Sequence, residues 1–175
     1  MPPAPVTVVG AGLAGSEAAW QIAHRGVPVR LFEMRPKHGT AVHRTSDCAE
    51  LVCSNSLKSL DRATPHGLLK EEMTALGSKI LECALLHRVP AGGALAVDRD
   101  EFAKAVTAAL SSHPLIEIVR EEVVGIPESG IVVLAVGPLV SERLQEAIAR
   151  FTGQDHLYFF DAIAPVIEAE TIDRD

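Results

Sequence analysis

Residues 6–33 read VTVVGAGLAGSEAAWQIAHRGVPVRLFE, and this stretch decides the fold. A short apolar strand, Val6–Val9, leads into the glycine-rich turn Gly10–Gly15. An alanine-rich amphipathic segment then predicts a helix, and a second apolar strand, Val27–Phe32, runs up to Glu33. Strand, glycine-rich turn, helix, strand and acid, in this order, are typical of the βαβ unit that binds dinucleotides. The stretch therefore predicts an α/β domain built on a central parallel sheet.

The residue types of the turn fit this chemistry. Gly10 permits a tight turn, Gly12 lets backbone N–H groups approach a pyrophosphate at the helix N-terminus, and Gly15 lets the helix pack close to the sheet. Glu33 is placed to accept hydrogen bonds from ribose hydroxyls, and its charge disfavours the 2′-phosphate of an NADP-type adenosine. The predicted cofactor contacts in the turn are Gly10, Ala11, Gly12, Leu13, Ala14 and Gly15. The alternative is an α/β domain whose glycines only form a turn.

Length and composition limit the class of protein. The chain has 175 residues, of which 47% are hydrophobic and 4% aromatic, enough for one aliphatic domain with a core. Its net charge of −7 argues against wholesale nucleic-acid binding. Three cysteines without a CxxC pair favour a reducing cytosol over a disulfide framework. No apolar run is long enough for a membrane span, no signal peptide is evident, and no metal site is expected.

The segment 34–63 has no sustained helical or strand period, which is typical of a functional loop. Its first part, residues 34–46, lacks any acid and is called here the basic stretch; its cationic or titratable side chains are Arg35, Lys37, His38, His43 and Arg44. This stretch predicts either a solvated surface loop or an anion site, for cofactor phosphates or an RNA backbone. On the second interpretation Arg35 is a cofactor ligand, while His38 and His43 are weaker candidates as proton carriers.

The rest of the chain alternates between helical and strand patterns. Helices are predicted from Thr64-Pro65 to a break at Gly77, over Ile80–Leu86, over Arg99–Ser112 with Asp98 as cap, and from Ser141 to Phe151; strands are predicted at Ala94–Val97, Ile116–Val119, Glu122–Ile126, Ile131–Val136 and Leu157–Phe160, with 162–172 extended. The strands at 116–126 are expected in a small layer beside the main sheet. The apolar strand at 131–136 is expected beside the first strand, which brings Gly137 close to the glycine turn. Gly137 is thus either a cofactor contact or a simple strand-to-loop glycine.

Five motifs together resemble one family. They are GAGLAGSEAA at 10–19, FEMRP at 32–36, ELVCSNSLKS at 50–59, AVDRDEF at 96–102 and LAVGPLVSERL at 134–144. In this order they resemble the folate- and FAD-dependent tRNA (uracil-5-)-methyltransferases, and the likeness continues through FFDAIAPVIEAETID at 159–173. Members of that family are more than twice as long, so we expect the chain to be the N-terminal portion of a longer protein.

The resemblance implies a fold and an activity. Residues 1–175 would form a Rossmann-like, three-layer FAD-binding domain of the glutathione-reductase type, with FAD in the Gly10–Gly15 turn and its ribose on Glu33. The enzyme would make 5-methyluridine in the T loop of tRNA, using 5,10-methylenetetrahydrofolate and reducing equivalents from NAD(P)H, in the cytoplasm. The implied nucleophile is Cys53, in the irregular loop.

The residues around Cys53 suit such a role. Ser54, Asn55 and Ser56 offer hydrogen-bond donors, and Lys58 offers a positive charge. Cys83 is expected in the core, and Cys48 is expected to pack there too, with a Cys48/Cys53 redox pair as the alternative. Three other functions stay open: an FAD-dependent enzyme that modifies the wobble uridine of tRNA, a general FAD/NAD(P)H oxidoreductase, and a non-enzymatic nucleotide-binding scaffold.

Overall fold

The computed structural model describes residues 3–153, which form an α/β fold with two sheets. The strands are β1 (Val6–Val9), β2 (Val29–Phe32), β3 (Ser56–Ser59), β4 (Arg88–Val89), β5 (Ala94–Val97), β6 (Ile116–Val119) and β7 (Val132–Leu134). The helices are α1 (Leu13–His24), α2 (Pro65–Ala75), α3 (Lys79–Leu86), α4 (Arg99–Ser112) and α5 (Glu142–Thr152).

The main sheet is parallel, with the strand order β6-β2-β1-β7. Val8 lies opposite Leu31 on one side and opposite Val133 on the other. The carboxyl ends of parallel strands share one edge of a sheet, so the segments that follow β1, β2 and β7 meet there. Two hydrogen bonds join neighbouring strands at this edge. The Gly10 N–H donates to the Phe32 carbonyl at 2.8 Å, and the Ala135 N–H donates to the Val9 carbonyl at 2.8 Å.

The second sheet is antiparallel, with the order β3-β5-β4. Its central strand, β5, is buried at Leu95 and Val97. Helix α3 contacts β5 as well as α1 and α4, and these two helices pack on the strands of the parallel sheet. Helix α3 therefore connects the main sheet and its helices to the small sheet.

Three helices begin at a side chain that accepts a backbone hydrogen bond, as helix N-termini require. The Thr64 hydroxyl accepts from the Gly67 N–H ahead of α2, and Ser78 accepts from Leu81 ahead of α3. The carboxylate of Asp98 accepts from the N–H groups of the second and third residues of α4. The predicted starts at Thr64 and Asp98 are thus confirmed.

The hydrophobic core forms between α1, α4 and the parallel sheet. Val8, Leu31, Phe102 and Val106 are all fully buried. Alanines on the inner face of α1, such as Ala19, allow this helix to lie close to the strands. The predicted α/β fold with a parallel sheet is confirmed.

Several sequence-based details were wrong, and each concerns strand pairing. Ile116–Val119 is β6 of the main sheet, paired with β2, and is not part of a side layer. Residues 122–126 form no strand, whereas Ser56–Ser59 and Arg88–Val89 are strands that the pattern did not predict. The strand predicted at Ile131–Val136 is confirmed beside β1, with shorter bounds. The predictions for 157–160 and 162–172 lie outside the described residues.

Candidate functional site: the glycine turn and the loop that packs on it

The glycine turn is shaped by close backbone contacts. Gly10 has φ +95, and a Cβ there would lie 2.6 Å from the Ala135 carbonyl oxygen. A Cβ on Gly15 would overlap the Gly10 carbonyl oxygen. Both positions therefore need glycine for the chain's own packing, and the contact with Ala135 places the end of β7 against the turn. Gly137, with φ +61, follows two residues later.

The start of α1 faces open space. Gly12, Leu13 and Ala14 are exposed, and a Cβ on Gly12 would meet no atom of the described part of the chain within 4 Å. The first turn of α1 contains no acidic residue, and no side chain among residues 3–153 caps its N–H groups. Free backbone donors and the positive end of the helix dipole thus point to an uncrowded surface, the environment that a pyrophosphate requires. The residues present fit a dinucleotide.

Glu33 lies at the carboxyl end of β2, beside this turn. Its Oε2 accepts from the Ala11 N–H at 3.2 Å, and its Oε1 accepts from the backbone N–H and the Nε of Arg35, at 3.0 and 2.9 Å. Burial disfavours the charged carboxylate, but the hydrogen bonds and the positive charge of Arg35, with the Ala11 N–H, outweigh it and hold the pKa of Glu33 below its usual range. Oε2, with one described donor, retains capacity for a ribose hydroxyl.

Arg35 is buried and its guanidinium is engaged by the protein itself. Besides Glu33, it donates from Nη1 to a carboxylate oxygen of Glu50 at 2.7 Å. It also donates to the carbonyls of Thr45 and Asp47. Arg35 therefore joins the acid beside the turn to the far end of the basic stretch, and its influence on a bound cofactor passes through Glu33.

A buried segment that includes Cys48 and Ala49 packs against the turn. The Ala49 N–H donates to the Ala11 carbonyl at 2.8 Å, and the Cys48 N–H donates to the Thr107 hydroxyl on α4 at 2.8 Å. Ala49 adopts φ 55, a backbone conformation that costs free energy for a residue with a Cβ. The loop that carries Cys53 is thus attached to the glycine turn a few residues earlier.

Cys53 is exposed, in a short turn before β3. The Arg99 guanidinium, at the start of α4, reaches its carbonyl oxygen at 3.5 Å. Asn55 pairs with Val97: the Val97 N–H donates to the Asn55 carbonyl at 2.9 Å, and the Asn55 Nδ2 donates to the Val97 carbonyl at 3.1 Å. An exposed thiol on an anchored turn is available to an external electrophile.

The other two cysteines are buried, so the prediction that Cys83 belongs to the core is confirmed. Burial raises the pKa of both thiols, Cys48 and Cys83, which keeps them in the unreactive neutral form. The packing interpretation of Cys48 is therefore the one that the structure favours over a redox pair with Cys53.

The basic stretch carries less free positive charge than its sequence suggests. Lys37 lies 3.8 Å from a Glu121 carboxylate oxygen, and His38 lies 3.6 Å from Glu122. Burial and the charge of Arg35 lower the pKa of His43, whose Nδ1 lies 2.6 Å from the Thr40 hydroxyl, so this ring is neutral near pH 7. Arg44 is exposed.

Two residues of this network were missed by the sequence analysis. Glu50 accepts from Arg35 and from the backbone N–H groups of Arg44 and Thr45. Arg120, just after β6, donates to the carbonyls of Arg35 and Ser46. Glu50 lies four residues after the basic stretch, and an acid so close to it is a usable signal, whereas Arg120 is remote in sequence and left none.

Residues 3–153 offer neither a metal site nor a membrane-spanning helix. They contain no cluster of side chains suited to hold a metal ion. None of their helices has the length and apolarity needed to cross a membrane.

Comparison with known proteins gives one family and a set of close relatives. The family model described as "Glucose inhibited division protein A" matches residues 5–175. The methylenetetrahydrofolate--tRNA-(uracil-5-)-methyltransferase TrmFO of Symbiobacterium thermophilum is 64% identical over 170 residues, which are 97% of this chain and 38% of that protein. Its counterpart from Desulforudis audaxviator is 59% identical over 170 residues, 97% of this chain and 39% of that protein. The resemblance drawn from the five motifs is confirmed.

The chain spans about two fifths of the length of these relatives. Among solved structures, GidA of Aquifex aeolicus gives a TM-score of 0.57 at 18% identity, over 72% of this chain and 21% of that one. The GidA-related protein of Thermus thermophilus gives a TM-score of 0.50 at 18% identity, over 83% of this chain and 67% of that one. At this identity the likeness shows the fold alone.

Proposed function

We propose a function for this chain from its family, since it belongs to the glucose inhibited division protein A family. It forms the FAD-binding part of an enzyme that methylates uracil C5 in tRNA. Relatives 56–64% identical to it are named for methylenetetrahydrofolate, tRNA and uracil C5. The product is 5-methyluridine at the T-loop uridine, with the one-carbon unit from 5,10-methylenetetrahydrofolate and reducing equivalents from NAD(P)H. The enzyme acts in the cytoplasm, where free thiols such as Cys53 stay reduced.

The observation that carries the proposal is the open cradle at the start of α1. A Cβ on Gly12 would enter empty space, whereas Gly10 and Gly15 are needed for packing. A glycine with open space beside it, at the start of a helix without a side-chain cap among the described residues, suits a ligand that approaches the backbone there. We assign the pyrophosphate of FAD to the N–H groups of this turn and its adenosine ribose to Glu33. Gly137 borders the cofactor from the end of β7.

Cys53 is assigned as the nucleophile. Uracil C5 is a poor nucleophile, and addition of a thiolate at C6 places the displaced electron pair on C5 and the carbonyl oxygen. C5 then bonds to the methylene carbon of the folate. Loss of the C5 proton breaks the bond between that carbon and the folate nitrogen, which releases tetrahydrofolate and leaves an exocyclic methylene on C5. A hydride added to this methylene makes the methyl group, and the ring double bond is restored as the C6–S bond breaks and Cys53 leaves as thiolate. FAD, when bound and reduced by NAD(P)H, would supply that hydride.

The test uses the full-length protein and labelled methylenetetrahydrofolate. We expect a flavin absorption spectrum and transfer of the labelled carbon to a T-loop uridine. Cys53→Ala should keep the flavin spectrum and lose transfer, while Ser59→Ala, at the end of the adjoining strand β3, should retain both. Normal turnover by Cys53→Ala would remove Cys53 as nucleophile, transfer to a wobble uridine would identify the related enzyme class, and a protein without flavin would leave only the scaffold function.

A further inference from the structure

We propose that Asn55 is a positioning residue for Cys53. It holds the turn that carries the thiol against the junction between β5 and α4. The inference rests on the proposed function in one respect, the assignment of Cys53 as nucleophile. It gives Asn55 a different role from the one that the sequence suggested, a hydrogen-bond donor beside the thiol. The carboxamide acts on the protein's own backbone instead.

Asn55 is bonded twice to one partner. Its carbonyl accepts from the Val97 N–H at 2.9 Å, and its side-chain Nδ2 donates to the Val97 carbonyl at 3.1 Å. These two bonds form a closed ring, so the residue two positions after Cys53 has a fixed place. The side-chain bond requires an N–H donor of this length, which alanine and aspartate both lack.

The partner of Asn55 is a rigid part of the fold. Val97 is fully buried at the end of β5. Asp98 then caps α4 by accepting two backbone N–H groups, and Phe102, one turn later, is fully buried. A turn tied to this junction inherits its rigidity, because neither the strand end nor the first turn of the helix can shift without opening the core.

The other end of the turn has a tie as well. The Arg99 Nη2 lies 3.5 Å from the Cys53 carbonyl oxygen, at the outer limit of a hydrogen bond. Between the two ties, the Ser54 hydroxyl accepts from the Ser56 N–H at 3.1 Å. The three residues from Cys53 to Asn55 are therefore held at both ends, with Asn55 making the shorter bonds.

Such anchoring matters for a nucleophile that must meet one carbon of a bound base. A displacement of about 1 Å of a reacting group can cost about a hundredfold in rate. An exposed cysteine on a free loop would sample many positions, and its thiol would rarely be aligned with uracil C6. Removal of the Asn55 carboxamide should thus slow turnover without preventing RNA or cofactor from binding.

The experiment compares Asn55→Ala with Ser59→Ala in the full-length holoenzyme. A trifluoromethyl tag is attached to exposed thiols, and the ¹⁹F resonance missing from tagged Cys53→Ala is that of Cys53. Steady-state kinetics are measured on the untagged proteins. In Asn55→Ala we expect a narrower Cys53 resonance, a kcat lower by about tenfold or more, and a KM for tRNA within about twofold of the parent. Flavin content should be unchanged, and Ser59→Ala should match the parent in every readout.

Two results would overturn the inference. One is a Cys53 resonance with the parent line width in Asn55→Ala. The other is a narrower resonance accompanied by a loss of both flavin content and thermal stability, because this combination indicates general loosening of the fold. The resonance also separates the two proposals. A narrower Cys53 signal in Asn55→Ala, together with a parent protein that fails to methylate tRNA, would support the anchoring by Asn55 and refute the proposed activity.

Discussion

Glu33 has two structural roles that a cofactor would share. Its carboxylate accepts the N–H of Ala11 inside the glycine turn, and it neutralises the buried guanidinium of Arg35. A second carboxylate, Glu50, pairs with the same guanidinium at 2.7 Å, so two carboxylates share one positive charge. Loss of the Glu33 charge should therefore weaken the fold itself, apart from any loss of cofactor affinity.

Glu33→Gln tests this buried ion pair. Glu50 stays paired with Arg35 in this variant, so the cost falls below that of an unpaired buried charge and is about 1–3 kcal/mol, the value for lost hydrogen bonds to a charged group. We expect a loss of this order in the free energy of unfolding, measured by urea denaturation of the flavin-free protein. The control is Arg30→Gln, since Arg30 pairs with Glu117 on the surface, where the two side chains are 45% and 66% exposed and a pair contributes about 0–1 kcal/mol. Equal losses in the two variants would contradict the buried-pair interpretation.

Acid should act on the same network. The pKa values of Glu33 and Glu50 both lie below their usual range in the folded protein, since hydrogen bonds and Arg35 favour the ionised forms over the effect of burial. Their contribution to stability is complete above the ordinary glutamate pKa of about 4.3 and is lost as the pH falls through the lower folded-state values. Unfolding free energies measured at successively lower pH should fall more steeply for the parent than for Glu33→Gln. Parallel curves would show that Glu33 carries none of the dependence.

The glycine turn separates a folding requirement from a binding requirement. Gly10→Ala should destabilise the flavin-free protein, because its Cβ would press on the Ala135 carbonyl oxygen and φ +95 is unfavourable for alanine. Gly12→Ala has room for its Cβ. This variant should keep a free energy of unfolding within about 1 kcal/mol of the parent's, the usual range for a glycine substitution at a helix end. FAD titration of Gly12→Ala should nevertheless show a clear loss of affinity. Normal FAD affinity in this variant would remove the turn as the pyrophosphate site.

At the scale of elements, the parts predicted well are those coded locally. The caps at Thr64 and Asp98, the break at Gly77 and the strand–turn–helix of residues 6–24 each depend on a few adjacent residues, and the structure has them where the pattern places them. Such features need no knowledge of the rest of the chain. The Gly10–Gly15 turn and its neighbour Glu33 could be located for this reason.

The parts predicted poorly depend on partners far away in sequence. The strand Ile116–Val119 has the same appearance in either sheet, and only its pairing with β2 assigns it to the main one. Ser56–Ser59 is polar and short, and it is a strand because Ala94 and Ala96 offer a partner edge. The two hydrogen bonds between Asn55 and Val97 also join residues far apart in sequence, so the anchoring of the Cys53 turn could not be predicted from a single sequence.

Glu17 illustrates a contact between elements that stability data can measure. This residue of α1 accepts from the Ser78 hydroxyl at 2.9 Å and from the Ile80 N–H at 2.9 Å, so it satisfies donors at the start of α3. Glu17→Ala should lower the free energy of unfolding by about 1–2 kcal/mol, the usual value of a lost helix cap. Glu71→Ala, which removes only an exposed pair with Arg62, is the matched control and should cost less than about 1 kcal/mol in the same denaturation assay. Indistinguishable curves would show that the α1–α3 tie does not matter.

At the scale of the whole molecule, a net charge of −7 has to be reconciled with an RNA substrate. The basic stretch is the local exception, but the structure divides its residues into two kinds. Arg35 is buried and paired with two carboxylates, and Lys37 lies near Glu121. Arg44, in contrast, is exposed and makes no ion pair with another described residue. Any phosphate contact from this stretch should therefore depend more on Arg44 than on Lys37.

Charge reversal at these two positions tests that difference in the full-length enzyme. Each phosphate contact adds about 0.7–0.9 to the slope of the logarithm of the binding constant against the logarithm of salt concentration. We expect Arg44→Glu to weaken tRNA binding and to flatten this slope by about one contact, and Lys37→Glu to do less because Glu121 already offsets that charge. The measurement is a titration of labelled tRNA at several salt concentrations, with Lys104→Glu on α4, which reverses a cation paired with Glu101, as control. Slopes that stay the same in both variants would exclude the basic stretch from the RNA interface, and a larger effect at Lys37 would show that its pairing with Glu121 does not persist when RNA binds.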